Sequence, residues 1–153
     1  MICPVSKKCS GCQLSNLTYE EQLKLKQSTA NKLLAKYCKV EKIIGMDEPY
    51  HYRNKVQAII FTKNGKTLSG VYQSKDGRTV AVDNCFLNFP EADPIILTIR
   101  KLCSGFKIKP HDPSTNRGTL RHVLLRKAFG TGEIMCTLVT NGTPIKSAKS
   151  QRL

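Results

Sequence analysis

Three of the seven cysteines crowd into the first twelve residues as Cys3-x5-Cys9-x2-Cys12, and nothing else in the sequence constrains the chain as tightly. A two-residue gap lets neighbouring thiolates converge on one metal centre. Gly11 permits the tight backbone this needs, and Lys7 and Lys8 favour the thiolate form. The remaining cysteines are scattered at Cys38, Cys85, Cys103 and Cys136. An odd total, with no secretory apolar run over the first nine residues, argues against a disulfide framework and for an intracellular, cytoplasmic chain.

Three clustered thiolates need a fourth ligand. Cys38 falls at a predicted helix end, and Cys103 and Cys136 lie in apolar stretches where a buried thiol is the ordinary outcome. Cys85 differs: Asp83-Asn84-Cys85-Phe86-Leu87-Asn88 follows a predicted strand and carries turn-forming residues on both sides. Cys3, Cys9, Cys12 and Cys85 are therefore the expected ligand set. Zinc sites usually pair two C-x2-C halves, and only one is present. His51, His111 and His122 show no ligand spacing. Three plus one suits an iron–sulfur cubane better, with zinc as the alternative.

Charge is the second constraint. Twenty-five Lys and Arg against 11 Asp and Glu give a formal +14, an excess that calls for a polyanionic partner, RNA foremost. The basic residues gather late, with Arg100, Lys101, Lys107, Lys109, Arg117, Arg121, Arg126 and Lys127 set against Asp112 alone. Arg53, Lys55, Arg121, Arg126 and Lys127 are the expected RNA contacts. Regular alternation along Leu120–Lys127 puts Arg121 opposite the side shared by Leu120, His122 and Arg126, so the two arginines need not form one patch. Tyr50, Tyr52, Tyr72 and Phe61 are available to stack on bases, although Phe61 reads better as core.

Hydrophobic patterning predicts an α+β fold, a mostly antiparallel sheet with helices packed on one face and an N-terminal cysteine loop. Thr18 and Glu21 form a capping box ahead of a helix from Tyr19 to about Tyr37. Strands are predicted at Tyr52–Phe61, Leu68–Tyr72 and Thr79–Val82, joined by Asn64-Gly65 and Asp76-Gly77 turns. A helix from Pro94 to Cys103 precedes a hairpin of Leu120–Lys127 and Glu133–Thr140, and Pro144 could open one more helix. Residues 1–16 are expected to bind the cluster and 17–153 to form the α+β domain. No stretch is long and apolar enough to span a bilayer, and no P-loop, dinucleotide fingerprint or Ser/His/Asp arrangement is present.

The cysteine set, together with Tyr52-Arg53-Asn54-Lys55 and Gly118-Thr119-Leu120-Arg121-His122-Val123-Leu124-Leu125-Arg126, resembles the bacterial S-adenosylmethionine-dependent RNA (uracil-5-)-methyltransferases. The similarity is greatest to the 23S rRNA 5-methyluridine enzymes that carry a four-iron, four-sulfur cluster. It runs along nearly the whole chain. It implies that Cys3, Cys9, Cys12 and Cys85 hold the cluster and that the α+β portion is a central domain holding 23S rRNA. In that family a nucleophilic thiolate attacks C6 of uracil, and methyl transfer to C5 and proton removal follow. Those steps belong to a Rossmann-like domain with a glycine-rich cofactor loop. No residue here matches it, so the chain is expected to be an inactive portion, with S-adenosylmethionine bound only by the full-length enzyme. A zinc-stabilised RNA-binding module is the alternative. An electron-transfer protein ranks lower, having no use for a charge of +14.

Overall fold

The structure, a computed structural model, describes residues 3–73 and 77–142. Seven elements follow in order: α1 (Tyr19–Leu34), β1 (Lys55–Lys63), β2 (Lys66–Tyr72), β3 (Thr79–Ala81), α2 (Ala92–Gly105), β4 (Leu120–Lys127) and β5 (Ile134–Thr140). The five strands form one antiparallel sheet in the order β3-β2-β1-β4-β5. The expected α+β class and antiparallel sheet are thus present. Pro144 and most of the Asp76-Gly77 turn lie outside the described residues.

One face of the sheet is the core. Val56, Ala58 and Ile60 of β1 and Leu120, Val123 and Leu125 of β4 pack against Phe89 and against Ala92, Ile96 and Cys103 of α2. Phe89, Leu120, Val123 and Leu125 are completely shielded from solvent. The pattern on β4 departs from regular alternation. Leu120 pairs with Thr140 and His122 with Val139, so two steps on β4 match one on β5. This bulge reverses the phase of the strand. Leu120 therefore joins Val123 and Leu125 under α2, while His122, Leu124 and Arg126 occupy the opposite, open face. The expected grouping of Leu120 with His122 is corrected accordingly.

The second correction concerns Cys136. It is exposed rather than buried, because β5 is an edge strand whose middle residues are all exposed and α2 covers the centre of the sheet. Cys103 is buried as expected.

Helix α1 contributes no buried residue. It is tied instead to the extended segment after it: Tyr19 Oη accepts from the Met46 N–H, and Gln27 bonds Ile43 N–H and the Glu41 carbonyl. Three residues short of the expected end, the helix closes at Leu34 with turns through Tyr37. At its start, Glu21 N–H donates to Thr18 Oγ1 at 3.2 Å, and Thr18 N–H donates to Glu21 Oε2 at 2.7 Å. That backbone bond from Thr18 holds the Glu21 carboxyl below its ordinary range. A lowered folded-state pKa makes this contribution present above the ordinary carboxylate range, and it is lost as pH falls through the folded value. Thr18→Ala is expected to cost α1 about 1 kcal/mol. Because α1 buries nothing, the loss will register as roughly fivefold faster amide exchange within α1 and not as a lower global melting temperature. Equal acceleration in β1 and β4 would show that α1 and the sheet unfold together.

Candidate functional site

The N-terminal cysteines sit in consecutive turns. Ser6 N–H donates to the Cys3 carbonyl, and the N–H groups of Lys8 and Cys9 both donate to the Val5 carbonyl, folding Cys3 back towards Cys9. Gly11 N–H then donates to Cys9 Sγ at 3.4 Å. A methyl group at Gly11 would lie 3.3 Å from that sulfur, so the backbone here passes close to the thiols. Cys3, Cys9, Cys12 and Cys85 are all partly buried.

Cys85 is positioned by α2. Its N–H donates to Asp93 Oδ2, and Asn88 Nδ2 donates to Asp93 Oδ1, both at 2.8 Å. One carboxylate in the first turn of α2 thus clamps the loop at both ends. The segment before β1 then zips to the same loop: His51 N–H donates to the Phe86 carbonyl, Arg53 N–H to the Leu87 carbonyl, and His51 Nδ1 lies 2.7 Å from the Asn88 carbonyl. Asp83, two residues before Cys85, is paired with Arg100 of α2 at 2.6 Å.

The four sulfurs interact. Burial first, and then the thiols of Cys85, Cys9 and Cys3, push the Cys12 thiol up, while Arg53 opposes them. The Cys12 thiol therefore resists ionisation. The donor set, four soft and partly buried sulfurs, is chemically suited to a thiophilic metal centre. Among the described residues, no three Cys, His, Asp or Glu side chains close on a single ion position.

The basic residues divide into two groups. Arg53 faces the thiols, its guanidinium 3.8 Å from where a Gly11 methyl group would sit. Lys127 is 17% exposed and bound to Glu91 at 2.6 Å, and Arg100 is engaged by Asp83. Lys55 and Arg126, by contrast, are exposed cross-strand partners on the open face. Like charges in that position repel, and an anion laid across them relieves the repulsion. Arg121 is brought to the same side by the bulge: with His122 it lines a cavity of about 460 Å³ whose walls include Ile59 and Phe61. Asp93, Asn88 and the role of Arg53 were not legible in the sequence. Asp93 carried only the weak signal of an acidic residue in a first helical turn.

No family model matches this chain. Over nearly its full length, however, it is similar to proteins that carry an enzymatic name. It is 40% identical over 147 residues to an uncharacterized RNA methyltransferase of Clostridium acetobutylicum, which covers 92% of this chain and 32% of that protein. With an uncharacterized RNA methyltransferase of Halalkalibacterium halodurans it shares 36% over 153 residues, 97% of this chain and 33% of the other. The fold matches the Pyrococcus abyssi tRNA (uracil-54, C5)-methyltransferase, solved in complex with S-adenosyl-L-homocysteine. That match has a TM-score of 0.74 at 23% identity and covers 95% of this chain and 34% of that one. The fold is thus one found within a nucleic-acid methyltransferase. The chain itself is similar to proteins named as bacterial RNA methyltransferases and spans about a third of their length.

Proposed function

We propose that this chain is the cluster-bearing, RNA-holding portion of an S-adenosylmethionine-dependent RNA (uracil-5-)-methyltransferase that acts on 23S rRNA. Cys3, Cys9, Cys12 and Cys85 would hold a four-iron, four-sulfur cluster, with residues 1–16 as the cluster segment and 17–153 as the domain that positions RNA. S-adenosylmethionine would supply the methyl group and be bound by the two thirds of the relatives' length that this chain does not span. This chain's residues would orient the RNA and tie its N-terminal segment to the sheet.

The observation that carries the reading is similarity over 92% and 97% of the chain to proteins named RNA methyltransferases, in a fold where α2 clamps the Cys85 loop through Asp93. A cubane is preferred to zinc on cysteine spacing, since only one C-x2-C pair is present and no histidine has ligand spacing. Four sulfurs on one zinc would sit about 3.8 Å apart, given Zn–S bonds of about 2.3 Å. A cubane takes each thiolate on a different iron, so it does not require a second C-x2-C pair.

RNA binding is carried by Lys55, Arg121 and Arg126. Lys127 is engaged by Glu91, and Arg53 lies beside the cysteine segment, its guanidinium 3.8 Å from where a Gly11 methyl group would sit. The Lys55→Glu, Arg126→Glu double variant should weaken binding to a 23S rRNA fragment by at least about tenfold at low salt and flatten its dependence on salt concentration. Filter binding between 50 and 200 mM salt (about the range over which phosphate contacts dominate) measures both. An unchanged slope would move the RNA to another surface.

A further inference from the structure

We propose that the cavity on the open face of the sheet receives one unpaired nucleobase of a bound RNA strand, stacked over Ile59, Phe61 and Tyr72 and hydrogen-bonded at its edge by His122. The inference rests on the RNA reading above and adds a specific subsite to it.

Four observations converge there. The cavity holds about 460 Å³, within the range of small-ligand sites. Its apolar wall is built from Ile59 and Phe61, which are 7% and 9% exposed even though α2 covers the other side of the sheet. Tyr72, on the neighbouring strand, is 50% exposed and lines the same space, leaving its ring available to a planar partner. Finally, His122 Nδ1 is buried and has no hydrogen-bond partner among the described residues. Because Nδ1 is shut off from solvent, a hydrogen bond from His122 to a ligand in the cavity falls to the ring's other nitrogen, Nε2.

The chemistry of the ligand follows from these groups. Burial, reinforced by Arg121, pushes His122 down, so its ring is neutral at neutral pH. A neutral imidazole donates at one nitrogen and accepts at the other, and either role suits the mixed donor and acceptor edge of a base. Lys63 and Arg121 are exposed at the cavity and carry the charge a neighbouring phosphate requires. An apolar floor, an aromatic ring and a flanking arginine are how proteins take up splayed bases from single strands. Arg126 lies roughly 16 Å along β4 from Arg121, so one strand crossing the open face could meet both.

The test compares the full chain's affinity for an eight-nucleotide unpaired RNA with its affinity for the same-length abasic ribose-phosphate strand. His122→Ala and Tyr72→Ala should each weaken the base-bearing strand roughly tenfold and leave the abasic strand within about twofold. His122→Gln, which keeps a donor and an acceptor, should recover most of the loss. Tyr72 is exposed, so its variant carries the test even where His122→Ala disturbs the fold. Equal losses on both strands, or no loss on either, would overturn the base site. If both strands bind alike and the Lys55→Glu, Arg126→Glu variant abolishes both, the RNA reading stands and the subsite falls. If the unmodified chain binds neither strand, the RNA reading itself falls.

Discussion

Cys85→Ser should strip the chain of iron. Anaerobically purified protein is expected to be brown and to carry about four irons and four sulfides per chain; the variant should be colourless with near-zero iron. Cys103→Ser should keep its full load. The contrast is sharp because the two cysteines differ in setting. Cys103 is buried against the core, among Ile96, Val123 and Leu125, with only burial acting on its thiol. Cys85 sits, partly buried, on a loop clamped by Asp93. A cluster held by Cys85 and the N-terminal cysteines would tie that segment to the sheet, so thermal stability should fall together with colour. Iron lost equally from both variants would refute the ligand set, and a colourless unmodified chain carrying zinc would refute the cluster.

The second large effect comes from a position with no chemistry of its own. Gly118 has φ +89°, and a methyl group there would lie 1.9 Å from the Pro110 carbonyl oxygen and 3.0 Å from His111 Cα. An alanine is strained by the dihedral and obstructed by backbone, which has no rotamer to yield. Gly118→Ala is therefore expected to destabilise the fold by at least about 3 kcal/mol, measured by urea unfolding. The damage should reach the open face. His111 N–H donates to the Leu120 carbonyl and Asn141 Nδ2 to the Gly118 carbonyl, so this crossing holds both the cavity rim and the start of β4. A variant as stable as the parent would mean the 109–118 segment has room to shift.

Much of this was legible because it is local. The capping box at Thr18 and Glu21, the Asn64-Gly65 turn and the β4–β5 hairpin each depend on residues a few positions apart, and each is present. The bulge at Leu120–His122 was not legible. Nothing in Leu120-Arg121-His122 announces an extra residue; the slip exists because Leu120, Val123 and Leu125 all fill one core beneath α2. Correcting it reverses the reading of the arginines, placing Arg121 and Arg126 on one side. Cys136 was misjudged for a related reason: apolar neighbours in sequence do not reveal that a strand lies at the edge of its sheet.

Arg53 and Lys127 teach the same lesson about charge. Composition establishes that positive charge is in excess, but only three dimensions show which cations are already engaged. Arg53 lies beside the thiols and Lys127 beside Glu91, leaving Lys55 and Arg126 as exposed neighbours.

The amino-acid order alone determined the elements, the α+β class and the candidate sulfurs, because hydrophobic period, caps and cysteine spacing act over one or two turns of chain. The folded molecule decided which face of β4 carries each side chain, which cations remain free, and that the Cys85 loop is anchored through Asp93 and Asn88. Those outcomes depend on close packing and electrostatics between segments far apart in sequence, where a single-residue slip in register or one partly buried carboxylate outweighs any local preference.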